Sequence, residues 1–355
     1  MHLDEPSWWY RTPASGVANL LQPLGGLYGW AARTRYARDQ PYRARLPVVC
    51  VGNFTAGGTG KTPLTIYLCE RMKAAGHEPV ALTRGYGGRL PGPYWVDART
   101  DSARDVGDEP LLLARAAPTM IARDRAAGAR AIETGPHPAT VIVMDDGLQN
   151  PGLAKDFTIA VVDGARGVGN GLVMPAGPLR APLDFQLELT DAVIVNEAAG
   201  ASGQSPVTEW LRHRFAGPVL RASVVPAQGA DWLARLRVVA WAGIGAPERF
   251  FSTLRGLGAD VVQSVPFGDH QRLGDADAAR LLELALLQSA TLVTTAKDMA
   301  RLAGSEGALA ELAAASRVLD VNLQLAEADA ERLFSFVGAA LKSAVGSAPS
   351  LGSDV

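Results

Sequence analysis

Residues 52–63 read GNFTAGGTGKTP, and this stretch indicates the fold class because an apolar run precedes it and a helical pattern follows it. Glycines let successive backbone N–H groups turn inward, a helix N-terminus adds partial positive charge, and a lysine reaches terminal phosphates. The pattern therefore predicts a phosphate-binding loop (P-loop) rather than a purely structural turn. Thr55 stands where the usual G-x-x-x-x-G-K-[ST] pattern begins with glycine, but the residues expected to contact phosphate all remain. The predicted nucleotide-contacting residues are Thr55, Ala56, Gly57, Gly58, Thr59, Gly60, Lys61 and Thr62.

Outward from this loop, short apolar runs alternate with helical ones, which is typical of a parallel sheet flanked by helices. Each run is continuously apolar, as expected for strands that are covered on both faces. Strands are predicted at 47–51, 79–83, 119–122, 140–144, 158–162 and 192–195, with helices at 63–75 and 109–116. The predicted fold class is an α/β, P-loop NTPase-like, mostly parallel sheet with a second, smaller α/β domain.

A change of rhythm marks the predicted domain boundary. Residues 217–228, GPVLRASVVPAQ, break the alternation, and a new series starts at Val238 with strands predicted at 238–242, 261–265, 291–295 and 318–321. We therefore expect an N-terminal interfacial helical segment (1–45), a P-loop core (46–216), a linker (217–235), a smaller C-terminal domain (236–345) and a tail (346–355).

Bulk composition narrows the function classes. A chain of 355 residues with 48% hydrophobic residues is long enough for two domains, and its net charge of −2 supplies no global attraction for nucleic acid. Cys50 and Cys69 both fall in apolar segments, so neither a disulfide framework nor a cysteine zinc site is expected, and a reducing compartment fits.

Residues 12–32, TPASGVANLLQPLGGLYGWAA, carry no charge and are flanked by arginines. Pro13, Pro23, the glycines and two amides argue against a membrane-spanning helix. Two interpretations remain open: an interfacial segment at a bilayer surface, or a helix packed on the first domain.

A P-loop needs an acid at the end of a neighbouring strand to hold the metal, and TVIVMDDGLQN supplies Asp145 and Asp146. GTPases recognise guanine with an N-K-x-D motif. The segment nearest to it here is TTAKD at 294–298, in which the lysine and aspartate are adjacent and not one residue apart, so guanine specificity is unsupported. Partitioning-type ATPases carry a lysine before the glycine pair, where this chain has Ala56. ATP with a small-molecule or lipid acceptor remains.

Eight motifs in order resemble the tetraacyldisaccharide 4′-kinase family of lipid A biosynthesis, from about Val48 to Leu302. They are VGNFTAGGTGKTP, TRGYGG, VGDEPLLLA, MDDGLQ, MPAGPLR, AGIGAPERFFSTLRGLG, FGDHQRL and TTAKDMARL. The resemblance implies transfer of the ATP γ-phosphate, with Mg²⁺, to the 4′-hydroxyl of an acylated glucosamine disaccharide 1-phosphate. It also implies a peripheral location on the cytoplasmic face of the inner membrane and an active site in an interdomain cleft. We expect a monomer with no nucleic-acid partner.

The resemblance also carries residue roles. Lys61 and Thr62 match the P-loop lysine and the metal-binding hydroxyl, Asp108 matches the catalytic base, and His270 matches the histidine that pairs with it. Arg125 and Arg180 match arginines that handle phosphate. The implied metal ligands are Thr62, Asp145, Asp146 and Glu109. The chain departs from the family's frequent DDGFQH at Leu148 and Asn150, which puts any role of that histidine in doubt here.

Alternatives stay open for several of these residues. Asp108 could instead cap the helix that begins near Pro110, Arg84 could contact phosphate or simply turn the chain, and Lys297 could form an exposed ion pair or touch the nucleotide. The competing functions are a P-loop ATPase switch without a lipid acceptor and a nucleotide-binding regulatory module.

Overall fold

The structure, a computed structural model, describes residues 5–200, 203–269 and 271–346. Besides 3₁₀ turns at Ser7–Tyr10 and Ala230–Leu233, the helices in these ranges are α1 (Gly16–Arg38), α2 (Lys61–Ala74), α3 (Ala103–Val106), α4 (Asp108–Ala116), α5 (Arg125–Glu133), α6 (Leu183–Glu188), α7 (Pro206–Arg214), α8 (Pro247–Gly256), α9 (Asp275–Leu287), α10 (Ala296–Arg301), α11 (Gly307–Ala315) and α12 (Glu327–Gly346). The strands are β1 (Val48–Asn53), β2 (Pro79–Thr83), β3 (Tyr94–Trp95), β4 (Thr119–Ile121), β5 (Val141–Asp145), β6 (Phe157–Asp163), β7 (Ala192–Glu197), β8 (Val219–Pro226), β9 (Arg237–Ala242), β10 (Asp260–Pro266), β11 (Thr291–Thr295), β12 (Ser316–Leu319) and β13 (Val321–Leu325).

These strands form two sheets. The larger has the order β13-β8-β7-β6-β1-β5-β2-β4-β3, and the smaller has the order β10-β9-β11-β12. All strand pairs of the smaller sheet are parallel, whereas the larger sheet has antiparallel pairs at its two ends, β3 with β4 and β8 with β13. The predicted fold class, a mostly parallel sheet flanked by helices with a second, smaller α/β unit, is confirmed.

Strand β1 lies inside the larger sheet and is buried along its whole length. Val49 and Val51 pack in the core on the side of α2, and Val48 and Cys50 pack in the core on the other face. Fully burying such a side chain stabilises the fold by roughly 1.5–3 kcal/mol, and β1 buries side chains on both faces of the sheet. The start of the phosphate-binding loop is therefore held in place by two cores.

The chain path differs from the predicted domain limits in two places. The expected linker, 217–235, contains β8, which pairs with β7 in the larger sheet. The strand predicted at 318–321 is divided, because β12 ends at Leu319 in the smaller sheet and β13 then pairs with β8 in the larger one. Helix α12 also packs on the larger sheet, so the smaller unit ends near residue 319 and not at 345.

The physical reason lies in the exposure pattern of β13. Val321, Asn322 and Gln324 are exposed, while Leu323 and Leu325 are buried. An edge strand that buries one face alternates in hydrophobicity and lacks the continuous apolar run that marks the central strands. Because this local pattern is weak, the sequence did not predict that the chain returns to the larger sheet at β13.

Helix α1 presents two different faces. On its packed face a Cβ at Gly25 would lie 2.6 Å from the Val173 carbonyl oxygen, and Ala18 is fully buried. The opposite face exposes large apolar side chains, which are Val17, Leu20, Leu24, Leu27 and Trp30. The segment is thus a packed helix with an unpaired apolar face. Among the described residues, no helix is both long enough and apolar enough to cross a membrane.

Candidate active site

The phosphate-binding loop lies between the carboxyl end of β1 and the first turn of α2. Gly57 and Gly60 have φ values of 95° and 101°, a region that favours glycine. At Gly60 space is also short, because a Cβ would lie 2.7 Å from Nδ2 of Asn196. Since α2 begins at Lys61, the loop presents the unpaired N–H groups of a helix N-terminus to the cleft, where an anion can bind them.

The threonine at the loop entrance is accommodated by a neighbouring segment. Thr55 is buried and forms an antiparallel bridge with Leu179, and the N–H of Ala56 donates to the Pro178 carbonyl at 2.8 Å. A residue paired in this way needs no positive φ. Glycine is therefore not required at this position, which accounts for the departure from the usual pattern.

Asp146 joins two cations beside the loop. Its Oδ1 accepts a hydrogen bond from Arg180 at 2.7 Å and lies 3.7 Å from Nζ of Lys61. Burial by itself would raise the pKa of Asp146, but Arg180 and Lys61 outweigh it and hold that pKa well below its usual range. The structure therefore brings together three of the predicted site residues around an ionised carboxylate.

Asp145 has the opposite environment. It is fully buried, and the Thr65 hydroxyl donates to its Oδ1 at 2.9 Å. Burial first, and then the charges of Glu109 and Asp146, raise the pKa of Asp145 to about 7. Its Oδ2 is a buried atom with no hydrogen-bond partner among the described residues. Such an oxygen fits a cation better than it fits an empty interior.

In the described part of the chain, no group of three or more His, Cys, Asp or Glu side chains is arranged to hold a metal ion by itself. Mg²⁺ that arrives with a nucleotide needs only one or two carboxylates, because phosphate oxygens and water complete its shell. The Asp145–Asp146 pair fits that requirement, and Asp146 lines the same cleft as Thr62. Glu109, the fourth predicted ligand, instead lies 3.3 Å from Nζ of Lys297.

Arg125 is the first residue of α5 and is almost completely buried. Its Nη1 donates to the Ala122 carbonyl at 2.6 Å, while its Nε has no partner among the described residues. Burial lowers the pKa of Arg125 to about 10, so the guanidinium stays charged at neutral pH. A buried cation that lines the cleft with unused donor capacity is suited to bind phosphate.

Asp108 is the first residue of α4, and Gly107, with φ 95°, is the N-cap. The capping interpretation of Asp108 is therefore wrong in its strict form, although the Asp108 Oδ1 does accept from the N–H of Glu109 at 3.0 Å. Its Oδ2 accepts from Nε of Arg301 at 2.7 Å. Both side chains are buried, at 5% and 9% exposed, so this is an ion pair inside the protein.

Sequence reasoning missed Arg301, which α10 brings across from the smaller unit. Its guanidinium also donates to Asp298 at 2.8 Å and to the Gly243 carbonyl at 2.5 Å. Lys297, one turn earlier on α10, lies 3.3 Å from Glu109 and 3.5 Å from Asp269. Burial would lower the pKa of Lys297, but the neighbouring carboxylates raise it. Lys297 is thus a largely buried bridge between the two units, not an exposed ion pair.

The TRGYGG segment shapes the approach to Asp108. A Cβ at Gly107 would lie 2.4 Å from the Tyr86 carbonyl oxygen, and one at Gly88 would lie 2.6 Å from the Val106 carbonyl carbon. The segment therefore packs against the residues that precede α4. Arg84 is exposed and lines the cleft, so turning the chain and meeting a ligand are both compatible with its position.

Two further predictions concern histidine positions. Asn150, where the family often has histidine, accepts a hydrogen bond from the N–H of Gly152 at 3.0 Å, and its carbonyl accepts from Lys155 at 2.6 Å. Asn150 therefore stabilises its own turn. His270, the predicted partner of Asp108, lies outside the described residues.

A carboxylate from the N-terminal segment also reaches the loop. A Cβ at Gly57 would lie 1.8 Å from Oε1 of Glu5, and the other oxygen of Glu5 accepts from Tyr10 at 2.8 Å and from Arg166 at 3.0 Å. Glu5 and Gly57 are far apart in the sequence, so no local motif predicted this contact.

One cleft of about 1650 Å³ lies between the larger sheet, the smaller unit and α1. It holds the loop from Ala56 to Thr62 together with Glu109, Arg125, Asp146 and Arg180. The arrangement can bind a polyphosphate at the loop and place its end among cations and carboxylates.

Comparison with known proteins gives concordant results. The family model described as tetraacyldisaccharide-1-P 4′-kinase matches residues 17–340. A tetraacyldisaccharide 4′-kinase of Methylobacterium nodulans is 48% identical over 92% of this chain and 94% of its own length. One of Methylorubrum extorquens is 48% identical over 96% of this chain and 99% of its own length.

Among solved structures, LpxK from Aquifex aeolicus in complex with ATP superposes with a TM-score of 0.69. It covers 92% of this chain and 99% of that chain, at 23% sequence identity. At this identity the likeness concerns the fold.

Proposed function

This chain belongs to the tetraacyldisaccharide-1-P 4′-kinase family, and from that premise we propose that it phosphorylates a lipid with ATP. The γ-phosphate passes to the 4′-hydroxyl of a tetraacyldisaccharide 1-phosphate, which forms the 1,4′-bisphosphate, the lipid A precursor lipid IVA. The observation that carries the proposal is a phosphate-binding loop in one cleft with buried cations, whose residues fall within the matched span.

At the nucleotide end, the loop amides from Ala56 to Thr62 hold the β- and γ-phosphates, and Lys61 and Arg180 balance the charge that develops on transfer. Thr62, Asp145 and Asp146 would hold Mg²⁺, which would supply positive charge beside the phosphates. The buried free oxygen of Asp145 supports this assignment. Lys61 exchanges its contact with Asp146 for phosphate when the nucleotide enters.

At the acceptor end, Asp108 takes the proton of the sugar hydroxyl as the bond to phosphorus forms. The Arg301 guanidinium and the Glu109 N–H hold the Asp108 carboxylate in place. We assign to His270 the pairing role that the family pattern implies. Arg125 binds phosphate from the side of β4 and β5.

The acyl chains bring the enzyme to a bilayer, because each CH₂ removed from water is worth about 0.8 kcal/mol and four tails cannot cheaply enter an aqueous cleft. The exposed apolar face of α1 supports a peripheral position, since Tyr28, Arg35 and Tyr36 of the same helix line the cleft. We propose that the chain works as a monomer on the cytoplasmic face of the inner membrane.

The test is to incubate the purified chain with ATP, Mg²⁺ and the disaccharide lipid in detergent and to look for a product heavier by one phosphate. ADP release that requires the lipid is expected; lipid-independent hydrolysis would indicate an ATPase switch instead. Asp108→Ala should keep ATP affinity and lose roughly 10²–10⁴-fold in turnover. Asp260→Ala, at an exposed aspartate of β10, is the matched control and should keep full turnover. Equal rates for the two variants would remove Asp108 from the mechanism.

A further inference from the structure

The phosphate-binding loop divides the cleft into two chemically different sides. Among the groups proposed for phosphate transfer, Asp146 follows β5, Arg125 begins the helix between β4 and β5, and Arg180 reaches Asp146 at 2.7 Å. The other side of β1 holds β6 and β7. Because a bound triphosphate points its γ end toward the acceptor, its nucleoside must leave the loop in the opposite direction, toward the end of β7.

Asn196 stands at that end of β7 and is 6% exposed. Its Nδ2 donates a 3.0 Å hydrogen bond to the Thr59 carbonyl oxygen in the loop. A carbonyl can only accept, so this contact fixes which end of the amide is nitrogen. With respect to the described residues, the amide retains one N–H and its carbonyl oxygen for a ligand, and the side chain lines the cleft.

The surroundings of Asn196 suit a purine. Ala198, Val224 and Ile66 line the cleft on this side of the loop and supply apolar surface. The hydroxyl of Thr59 is buried there without a hydrogen-bond partner in the described chain, a second sign that a polar ligand belongs at this place.

Glu197, the next residue, is not available to read a base. Its carboxylate accepts hydrogen bonds from the Ser205 N–H at 3.1 Å, the Thr208 hydroxyl at 2.8 Å and Nε of Arg221 at 2.6 Å. Guanine offers two adjacent hydrogen-bond donors, which a carboxylate would accept, but the Glu197 carboxylate already accepts from these three protein groups. Adenine offers an acceptor at N7 and a donor at its 6-amino group, which an asparagine amide matches bidentately.

We propose that Asn196 is the adenine-reading residue, and this assignment rests on the proposed kinase function. Its remaining N–H donates to N7, and its carbonyl oxygen accepts from the 6-amino group, while the other N–H keeps the bond to Thr59. Guanine would place its O6 acceptor against the amide oxygen. A single side chain thus ties base identity to the shape of the phosphate loop.

The experiment is equilibrium binding of ATP, GTP and 7-deaza-ATP, without lipid, to the wild-type chain and to Asn196→Ala. The wild-type chain should bind 7-deaza-ATP and GTP about tenfold or more weakly than ATP, because each leaves a polar partner unmatched. In Asn196→Ala all three should weaken together through loss of the Thr59 contact, and the differences among them should shrink to less than about twofold. Asn322→Ala, a matched change at an exposed cleft residue of β13, should keep the wild-type ratios.

The outcomes separate the two levels of the proposal. Equal wild-type affinities for ATP and 7-deaza-ATP would overturn the reading of adenine by Asn196 without requiring any variant to fold. An undiminished ATP preference in Asn196→Ala would assign Asn196 to loop support alone, and loss of preference in Asn322→Ala would move the reader to β13. Absence of all nucleotide binding would overturn the kinase function as well, whereas lipid phosphorylation with unselective binding would overturn only this inference.

Discussion

Asp145→Asn removes a proposed metal ligand, yet in the ligand-free protein its unfolding free energy, compared with that of the wild type, should be more favourable at high pH than at low pH. The carboxyl is fully buried, and its pKa is raised to about 7 from 3.8 in the unfolded chain. Between these two values the folded protein binds more protons at this site than the unfolded chain does, so wild-type stability rises as the pH falls through this window. The asparagine variant lacks that dependence.

The magnitude follows from the raised pKa. Between pH 7 and pH 5 the folded carboxyl is protonated while the unfolded one is still ionised. These two pH units stabilise the folded wild-type protein by about 3 kcal/mol at pH 5 relative to pH 8.5, at 1.36 kcal/mol per unit. The new amide keeps the hydrogen bond from Thr65 but leaves N–H groups at the position of the unpartnered Oδ2, at a cost of about 1–3 kcal/mol. That cost does not depend on pH, so the slope isolates the ionisation.

Urea unfolding of both proteins at pH 5, 6, 7, 8 and 8.5 measures this slope. The difference in unfolding free energy, variant minus wild type, should grow by about 3 kcal/mol toward pH 8.5. Asp260→Asn, at an exposed aspartate of β10, is the control and should keep the wild-type slope. Parallel curves for wild type and Asp145→Asn across this range would refute the buried-acid argument.

Three other perturbations test separate parts of the molecule. Arg301→Gln leaves the buried Asp108 and Asp298 without their shared guanidinium and should lower the unfolding free energy by about 3–5 kcal/mol in urea denaturation; a loss below about 1 kcal/mol would contradict a buried ion pair. Leu20→Asp places a charge on the exposed apolar face of α1, so less protein should float with anionic liposomes while ATP binding stays unchanged. An equal amount of floated protein would count against the α1 face as the membrane contact. Glu5→Gln removes a negative charge beside Gly57 and should tighten ATP binding roughly threefold in titration, so weaker binding would show that Glu5 supports the site.

Local patterns carried much of the prediction. The strands at β1, β2, β5 and β6 are continuous apolar runs, so sequence alone located them within one or two residues. The edge strand β13 and the strand β8 escaped because partial burial gives them mixed patterns. The same limit made the end of the smaller unit unpredictable.

Candidate residues divide in the same way. Lys61 and Asp146 could be predicted from the sequence, since a glycine-rich turn before a helix and an acid after a buried strand are local signatures. Arg301 and Asn196 had none, because their roles come from contacts with residues 193 and 137 positions away. A polar residue directly after a buried run, as in VIVNE, is the one signal that could have pointed to Asn196.

The phosphate loop, the order of the parallel strands along the chain and the family could be predicted from local patterns, because all three rest on short-range spacing of glycines, acids and apolar runs. Tertiary structure alone decided that Thr55 can replace glycine, that adjacent aspartates have opposite pKa shifts, and that α10 supplies the cation beside Asp108. Those outcomes depend on burial and on charges from distant segments, and electrostatic energies at a buried site are set by neighbours in space rather than neighbours in sequence.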